Sequence, residues 1–171
     1  MTLLDQLAGQ IQSAIERLRR MLFELRPPEL DTEGIAGALR HYLTVWSSEW
    51  EGDSPVEYQV EDRMDDEPPS ETRAVAYRIA QEALVNVGKH ARARRVDVLL
   101  ETRDSGVAVT VRDDGVGFAA GPDLESRPGH IGLSALRERA EMAGGRLAVR
   151  SATGQGTTVE FWLPVEPTGR S

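Results

Sequence analysis

The 171-residue sequence contains no cysteine. Disulfide bonds, zinc–thiolate sites and cysteine nucleophiles are therefore excluded, and the composition is compatible with a reducing compartment. Cationic side chains are also scarce, because 20 Lys and Arg stand against 28 Asp and Glu and leave a net charge of −8. That balance argues against a nucleic-acid partner and offers no basic anchor for an anionic membrane surface.

Long apolar runs are missing as well, since none approaches the ~20 residues of a membrane span. No signal peptide opens the chain. We therefore expect a cytoplasmic location, although a longer parent protein could still be anchored in a membrane. What is present is ordinary for a globular protein, with 40% hydrophobic and 28% charged residues. The length suits one domain with an appendage.

The first 26 residues carry apolar side chains in steps of three and four, as in a helix packed against other helices. The stripe consists of Leu4, Leu7, Ile11, Ala14, Leu18, Met21 and Leu25. One such helix has to be covered, either by a partner chain, as we expect, or by its own domain. Pro27 and Pro28 end the helix, because proline removes a donor and restricts the preceding residue.

The remaining chain combines both kinds of periodicity. Alternation predicts strands over 56–61, 95–103, 107–111, 146–151 and 157–164. Spacing of three and four predicts helices over 32–49, 70–90 and 131–143. Ser70 is the expected cap of the central helix. Because helices and strands do not strictly alternate, we predict an α+β fold, a two-layer sandwich with helices on one face of a mixed sheet.

The central helix has a polar stripe beside its buried one. Arg78, Glu82, Asn86 and Lys89 follow one another at intervals of three or four residues. A carboxylate and an amide beside cations suit a divalent metal ion and the phosphates that accompany it, because hard cations prefer oxygen ligands. The alternative is a solvated face held by pairs of opposite charge.

Two glycine-bearing segments could bind a ligand. In the first, Asp113 follows a strand and could accept a hydrogen bond from an exocyclic amine such as that of adenine. Gly115 and Gly117 would let the backbone approach a flat ring or a phosphate, although such a segment is also a common turn. The second, residues 129–133, opens a helix whose free N–H groups could bind an anion, or is a hinge. His130 fits a polar helix start better than a catalyst.

A third segment, residues 154–158, joins the last two predicted strands. It is a simple hairpin loop, or a loop whose threonine hydroxyls reach a nucleotide directly or through water.

The order and spacing of these segments resemble the GHKL ATP-binding family, which holds sensor histidine kinases, DNA gyrases, mismatch-repair ATPases and certain chaperones. Within that family, QEALVNVGKHA, DDGVGF, GHIGLSALRER and LFELRPPEL look like the NarL/DesK-type histidine kinases. The resemblance covers about residues 1–165 and implies the Bergerat ATP-binding fold. Residues 27–165 would be the ATP-binding catalytic domain and 166–171 a tail. Residues 1–26 would be the second helix of the dimerisation and phosphoacceptor region.

The resemblance also implies a role for each residue that matches a family motif. Asn86 would hold Mg²⁺ together with Glu82, and Glu82 would also orient or deprotonate the reacting group. Lys89 and His90 would contact the phosphates, and Asp113 would bind the adenine amine with support from Thr157 or Thr158. Gly115 and Gly117 would shape the pocket. The residues that would border the lid and the phosphates are Gly129, His130, Gly132 and Leu133. The lid itself would be the polar loop 119–129, mobile without nucleotide.

The function implied by the resemblance is the ATP-binding part of a two-component sensor histidine kinase. With ATP and Mg²⁺ it would transfer the γ-phosphate to a histidine on a dimerisation helix. The acceptor motif, similar to R-x-x-H-D, is not found, because His41 is in the wrong place and His90 and His130 belong to ATP-site motifs. Either the sequence is a piece of a longer kinase, as we expect, or the acceptor histidine lies on another protein. The longer kinase would form a homodimer through its N-terminal helix and serve a NarL-type response regulator.

Two other functions stay open from the sequence. One is an anti-sigma-factor-type serine kinase of the same fold, and the other is a degenerate nucleotide-binding scaffold. The presence of Glu82, Asn86 and Asp113 counts against the scaffold. Acid-labile phosphate on the phosphorylated partner would distinguish the histidine kinase from the serine kinase.

Overall fold

The structure, a computed structural model, describes residues 27–48, 56–119 and 131–165. The predicted N-terminal helix, Gly129, His130, nearly all of the predicted lid and the tail lie outside these residues. The domain boundaries proposed from the sequence therefore stay predictions.

The described helices are α1 (Glu29–Thr32), α2 (Gly34–Ser48), α3 (Ser70–Asn86) and α4 (Ile131–Met142). A π-helical turn, Val87–Ala91, continues α3. The sequence predicted one helix over 32–49. In the structure this helix is interrupted between Thr32 and Gly34, and Gly34 has a left-handed φ of 71°. The expected cap at Ser70 is wrong, because Ser70 is already helical and Pro69 precedes it without a side-chain cap.

Five strands form one sheet in the described part of the chain. They are β1 (Glu57–Arg63), β2 (Arg95–Arg103), β3 (Gly106–Asp113), β4 (Arg146–Ser151) and β5 (Thr157–Pro164). Their order in the sheet is β1-β2-β3-β5-β4. β1 runs parallel to β2, and the other neighbours are antiparallel. The sheet is therefore mixed, as predicted.

The two faces of the sheet differ because side chains alternate along each strand. On one face, Val98, Val109 and Phe161 are buried in the core that α2, α3 and α4 cover. The other face carries charged side chains in ion pairs, among them Arg103 with Glu160 at 3.2 Å. Helices thus cover one face of the sheet, and the predicted α+β sandwich is confirmed.

The topology brings four chain segments to one end of the sandwich. The register places Asp113, the last residue of β3, opposite Thr157, the first residue of β5. Because opposite residues in antiparallel strands point to the same face, both side chains face the helices. α3 ends above them at Asn86, and α4 packs beside α3.

Candidate functional site

A cavity of about 270 Å³ opens where these segments meet. This volume is close to the lower end of the usual range for ligand pockets, roughly 300–1,000 Å³. Of the predicted site residues, the wall contains Asn86, His90, Asp113, Gly117, Gly132, Leu133 and Thr157. The other wall residues are Ala83, Val87, Ala91, Val111, Phe118 and Val159. An apolar wall with a few polar groups suits a flat aromatic ring.

Asp113 is the buried carboxylate of the cavity, with only 4% of its surface exposed. Its Oδ1 accepts a hydrogen bond from the Gly115 N–H at 2.8 Å, and the Thr157 backbone also donates to it. Burial raises the pKa of Asp113, against the lowering effect of these two hydrogen bonds, and the charge of Asp114 raises it further. The carboxylate keeps capacity to accept a hydrogen bond from a ligand.

The turn that follows Asp113 rests on the chain after the π-helical turn. Asp114 Oδ1 accepts hydrogen bonds from the backbone N–H groups of Arg94 and Arg95 at 2.8 and 2.9 Å. The Val116 N–H donates to the Ala91 carbonyl at 2.7 Å. These hydrogen bonds fix the turn that follows Asp113 to the chain that follows α3, and so restrict the position of the Asp113 carboxylate.

Gly117 brings this turn against the loop between β4 and β5. Its φ is 56°, and a Cβ atom there would lie 2.1 Å from the Ala152 carbonyl oxygen. The Gly154 N–H donates to the Val116 carbonyl at 2.7 Å. Ser151 completes the junction, because its Oγ accepts from the Phe118 N–H at 2.9 Å. The turn after Asp113 and the loop between β4 and β5 are therefore held directly against each other.

Asn86 supplies the amide on the opposite side of the cavity. Among the described residues, its Nδ2 is one of two buried side-chain polar atoms without a hydrogen-bond partner, the other being Arg73 Nε. A buried donor without a partner costs on the order of 1–3 kcal/mol. A Cβ atom on Gly132 of α4 would lie 3.4 Å from Asn86 Oδ1. Because Asn86 lines the cavity, a ligand there could accept a hydrogen bond from the unpartnered Nδ2.

Several predicted site residues are not part of the cavity wall, among them Gly115, which lies against the Ala91 backbone. Glu82 lies near Tyr42, whose pKa is raised by burial first and then by the charges of Tyr77 and Glu82. Lys89 is exposed at the π-helical turn. Thr158 pairs with Arg112 on the solvent face, so the structure separates it from Thr157.

Residues that support the cavity wall through hydrogen bonds to the backbone were not identified from the sequence. Ser151 and Asp114 make side-chain hydrogen bonds to the backbone, and Ala91 contributes a carbonyl. Phe118 adds apolar surface and could have been found, because it directly follows the last glycine of its segment. The described residues hold no group of three or more His, Cys, Asp or Glu that could bind a metal ion by themselves.

A family profile described as histidine kinase-, DNA gyrase B- and HSP90-like ATPase matches residues 71–167, which is more than half of the chain. The chain belongs to this ATPase family. The resemblance to GHKL proteins is thereby confirmed, and with it the use of ATP.

Curated relatives of the chain in this family are sensor histidine kinases. The oxygen sensor histidine kinase NreB of Staphylococcus carnosus is 31% identical over 94% of this chain and 45% of its own length. The sensor histidine kinase LiaS of Bacillus subtilis is 30% identical over 96% of this chain and 43% of its own length. The chain spans 28% to 45% of the length of the curated relatives it matches.

Solved structures show the same fold. The histidine kinase domain of a blue-light activated histidine kinase from Erythrobacter litoralis aligns with a TM-score of 0.62 at 24% identity, over 77% of this chain and 61% of that one. The ATP-binding domain of PrrB from Mycobacterium tuberculosis aligns with a TM-score of 0.54 at 17% identity, over 74% and 90% of the two chains. Within the described residues, no helix is long and apolar enough to span a membrane.

Proposed function

We propose that this chain is the ATP-binding catalytic domain of a sensor histidine kinase, and that the cavity between Asn86 and Asp113 is its ATP site. The observation that carries the proposal is that a buried carboxylate, Asp113, and an amide with a buried, unpartnered Nδ2, Asn86, line one largely apolar cavity. The exocyclic amine of adenine would donate to Asp113. The ring would lie between Val111, Val159 and Ala83.

Asn86 is the side chain that fits a magnesium ion at the phosphate end. Its carbonyl oxygen is a hard ligand, and the phosphates of ATP would supply further oxygens, so that no cluster of protein carboxylates is needed. When bound, Mg²⁺ neutralises charge on the phosphates, which is a main requirement of phosphoryl transfer. Glu82, Lys89 and His90 remain candidates for orienting the reacting group and the phosphates.

The parent protein would supply what this chain does not contain. Residues 1–26 would pair with a second copy as a dimerisation helix, and the phosphate would pass from a histidine on the other dimerisation helix of the parent protein to a NarL-type response regulator. Support comes from the LFELRPPEL segment and from relatives that are sensor histidine kinases. Acid-stable rather than acid-labile phosphate on the partner would instead favour the serine kinase.

The test of the site is titration of the chain with a fluorescent ATP analogue. Asp113→Asn should weaken binding by roughly 10- to 100-fold, the value of a hydrogen bond to a charged group. The amide would present a donor where the carboxylate only accepts. Asp97→Asn, on the solvent face of β2, is the matched control and should bind like the wild type. Unchanged affinity of Asp113→Asn would refute the site.

The metal is tested separately. Mg²⁺ should strengthen ATP binding to the wild type but not to Asn86→Ala, whereas adenosine, which has no phosphate, should bind both equally. An equal effect of Mg²⁺ on both proteins would remove Asn86 from the metal site.

A further inference from the structure

Ser151 lies at a junction of three hydrogen bonds beside the cavity. The Phe118 N–H donates to its Oγ at 2.9 Å. The same Oγ lies 3.0 Å from the Gly156 carbonyl oxygen and 3.0 Å from Thr157 Oγ1. One hydroxyl therefore joins the turn after Asp113 to the first residue of β5.

A single arrangement of protons satisfies all three contacts. A serine hydroxyl has one proton to donate and two lone pairs to accept. Because a carbonyl only accepts, Ser151 donates to Gly156, and because an N–H only donates, Ser151 accepts from Phe118. Its remaining lone pair accepts from the Thr157 hydroxyl. The Thr157 proton is therefore directed to Ser151, and the Thr157 oxygen keeps only acceptor capacity.

The orientation of Thr157 matters because this residue lies next to the buried carboxylate. Thr157 and Asp113 are register partners, both line the cavity, and the Thr157 backbone donates to Asp113. The cavity thus presents a carboxylate and a hydroxyl oxygen that both accept hydrogen bonds. Two acceptors favour a ligand with an amino group and disfavour one with a carbonyl oxygen at the same position.

We propose that Ser151 is a positioning residue that sets the base selectivity of this site by holding the Thr157 hydroxyl as an acceptor. The inference rests on the proposed ATP site. It predicts preference for a 6-amino purine over a 6-oxo purine, beyond what Asp113 alone provides. In Ser151→Ala, the Thr157 hydroxyl is released, can rotate and can donate to a carbonyl oxygen, so that discrimination decreases.

The experiment measures dissociation constants for ATP and ITP by competition against a fluorescent ATP analogue. ATP has an amino group at position 6 and an acceptor at N1, whereas ITP has a carbonyl oxygen at position 6 and an N–H at N1. Relative to the wild type, Ser151→Ala should lower the preference for ATP over ITP by roughly 2- to 10-fold, the value of one neutral hydrogen bond. Ser151→Thr restores a hydroxyl and should restore the preference. Thr110→Val removes a hydroxyl on the solvent face of β3 and should leave the preference unchanged.

The ratio of the two constants separates this role from a merely structural one. If Ser151→Ala weakens both nucleotides by the same factor, the inference is overturned. If Ser151→Ala does not fold, as judged by circular dichroism, Thr157→Val provides the same readout, and an unchanged ratio there also overturns it. Failure of the wild type to bind ATP would instead overturn the proposed function, and the inference with it.

Discussion

Asp113 combines burial with a neighbouring negative charge, and both raise its pKa above that of a free aspartate. The proposed contact with adenine needs the ionised form, because a protonated carboxyl presents a donor to the amine. Affinity for ATP should therefore be fully present above the raised pKa and be lost as the pH falls through it. The loss should begin at a higher pH than for an exposed carboxyl.

Asp114→Asn tests this pH dependence without removing the carboxylate. The amide oxygen can still accept from the N–H groups of Arg94 and Arg95, while the charge that raises the pKa of Asp113 is gone. The acidic limb of the affinity profile should move to lower pH. Titrations of both proteins with the same nucleotide check this, because protonation of the phosphates affects them equally. An unmoved limb would contradict the role given to Asp113.

Gly117 offers a second prediction for a single residue. Gly117→Ala should lower the free energy of unfolding by at least about 2 kcal/mol, since it combines a left-handed backbone with a carbonyl oxygen at 2.1 Å from the new Cβ. Gly154 has a φ of 77° with nothing within 4 Å, so Gly154→Ala should cost only about 1 kcal/mol. Urea denaturation measures both. Equal losses of unfolding free energy in Gly117→Ala and Gly154→Ala would contradict the close contact between the turn at Gly117 and the loop between β4 and β5.

At the scale of elements, α2 is held at its start by a residue from a distant loop. The Ile35 N–H donates to the Glu67 carboxylate, with N···O distances of 3.1 and 3.4 Å. A Cβ atom on Gly34 would overlap that carboxylate. Glu67 therefore acts as a helix cap that is supplied by the segment before α3 rather than by the residue before α2.

Partial burial raises the pKa of Glu67, partly offset by the hydrogen bond from Ile35 and the charge of Arg73. Since the pKa of Glu67 is higher in the folded state than in the unfolded state, its contribution to the free energy of unfolding is present at low pH. This contribution is lost as the pH rises through the folded-state pKa. Glu67→Gln keeps an acceptor and has no charge to desolvate, so it should be at least as stable as the wild type at neutral pH. Glu67→Ala should lose about 1 kcal/mol.

Urea denaturation at neutral pH measures these differences, with Asp66→Ala, an exposed neighbour, as the control. If Glu67→Ala unfolds at the same urea concentration as the wild type, the carboxylate does not cap α2.

At the scale of the whole molecule, ATP binding and phosphate acceptance would belong to different segments. Incubated with Mg²⁺ and ATP labelled at the γ-phosphate, the chain should gain no acid-labile phosphate. His41 is exposed on α2, and no histidine of the sequence lies in an acceptor motif. A longer kinase with its dimerisation helices serves as the positive control. Acid-labile label on this chain would contradict the proposed division of labour.

Most strands and helices could be predicted from the sequence because their apolar residues recur with the period of the buried face, as the alternating burial along β2 shows. The interruption between α1 and α2 could not be predicted, because the start of α2 depends on a hydrogen bond from Ile35 to Glu67, more than 30 residues away. The π-helical turn after Asn86 has no periodic signature. Ser151 was missed for a similar reason, because a hydroxyl becomes informative only once its three partners are in place.

The position of β5 has a consequence for synthesis. Although it follows β4 in the chain, β5 lies between β3 and β4 in the sheet. Until β5 has been synthesised, the sheet can contain only β1, β2 and β3, because β4 pairs with β5 and not with β3. Thr157, the first residue of β5, joins Asp113 in the cavity wall only when β5 pairs with β3, so the proposed nucleotide site is completed by the last of these five strands to be synthesised.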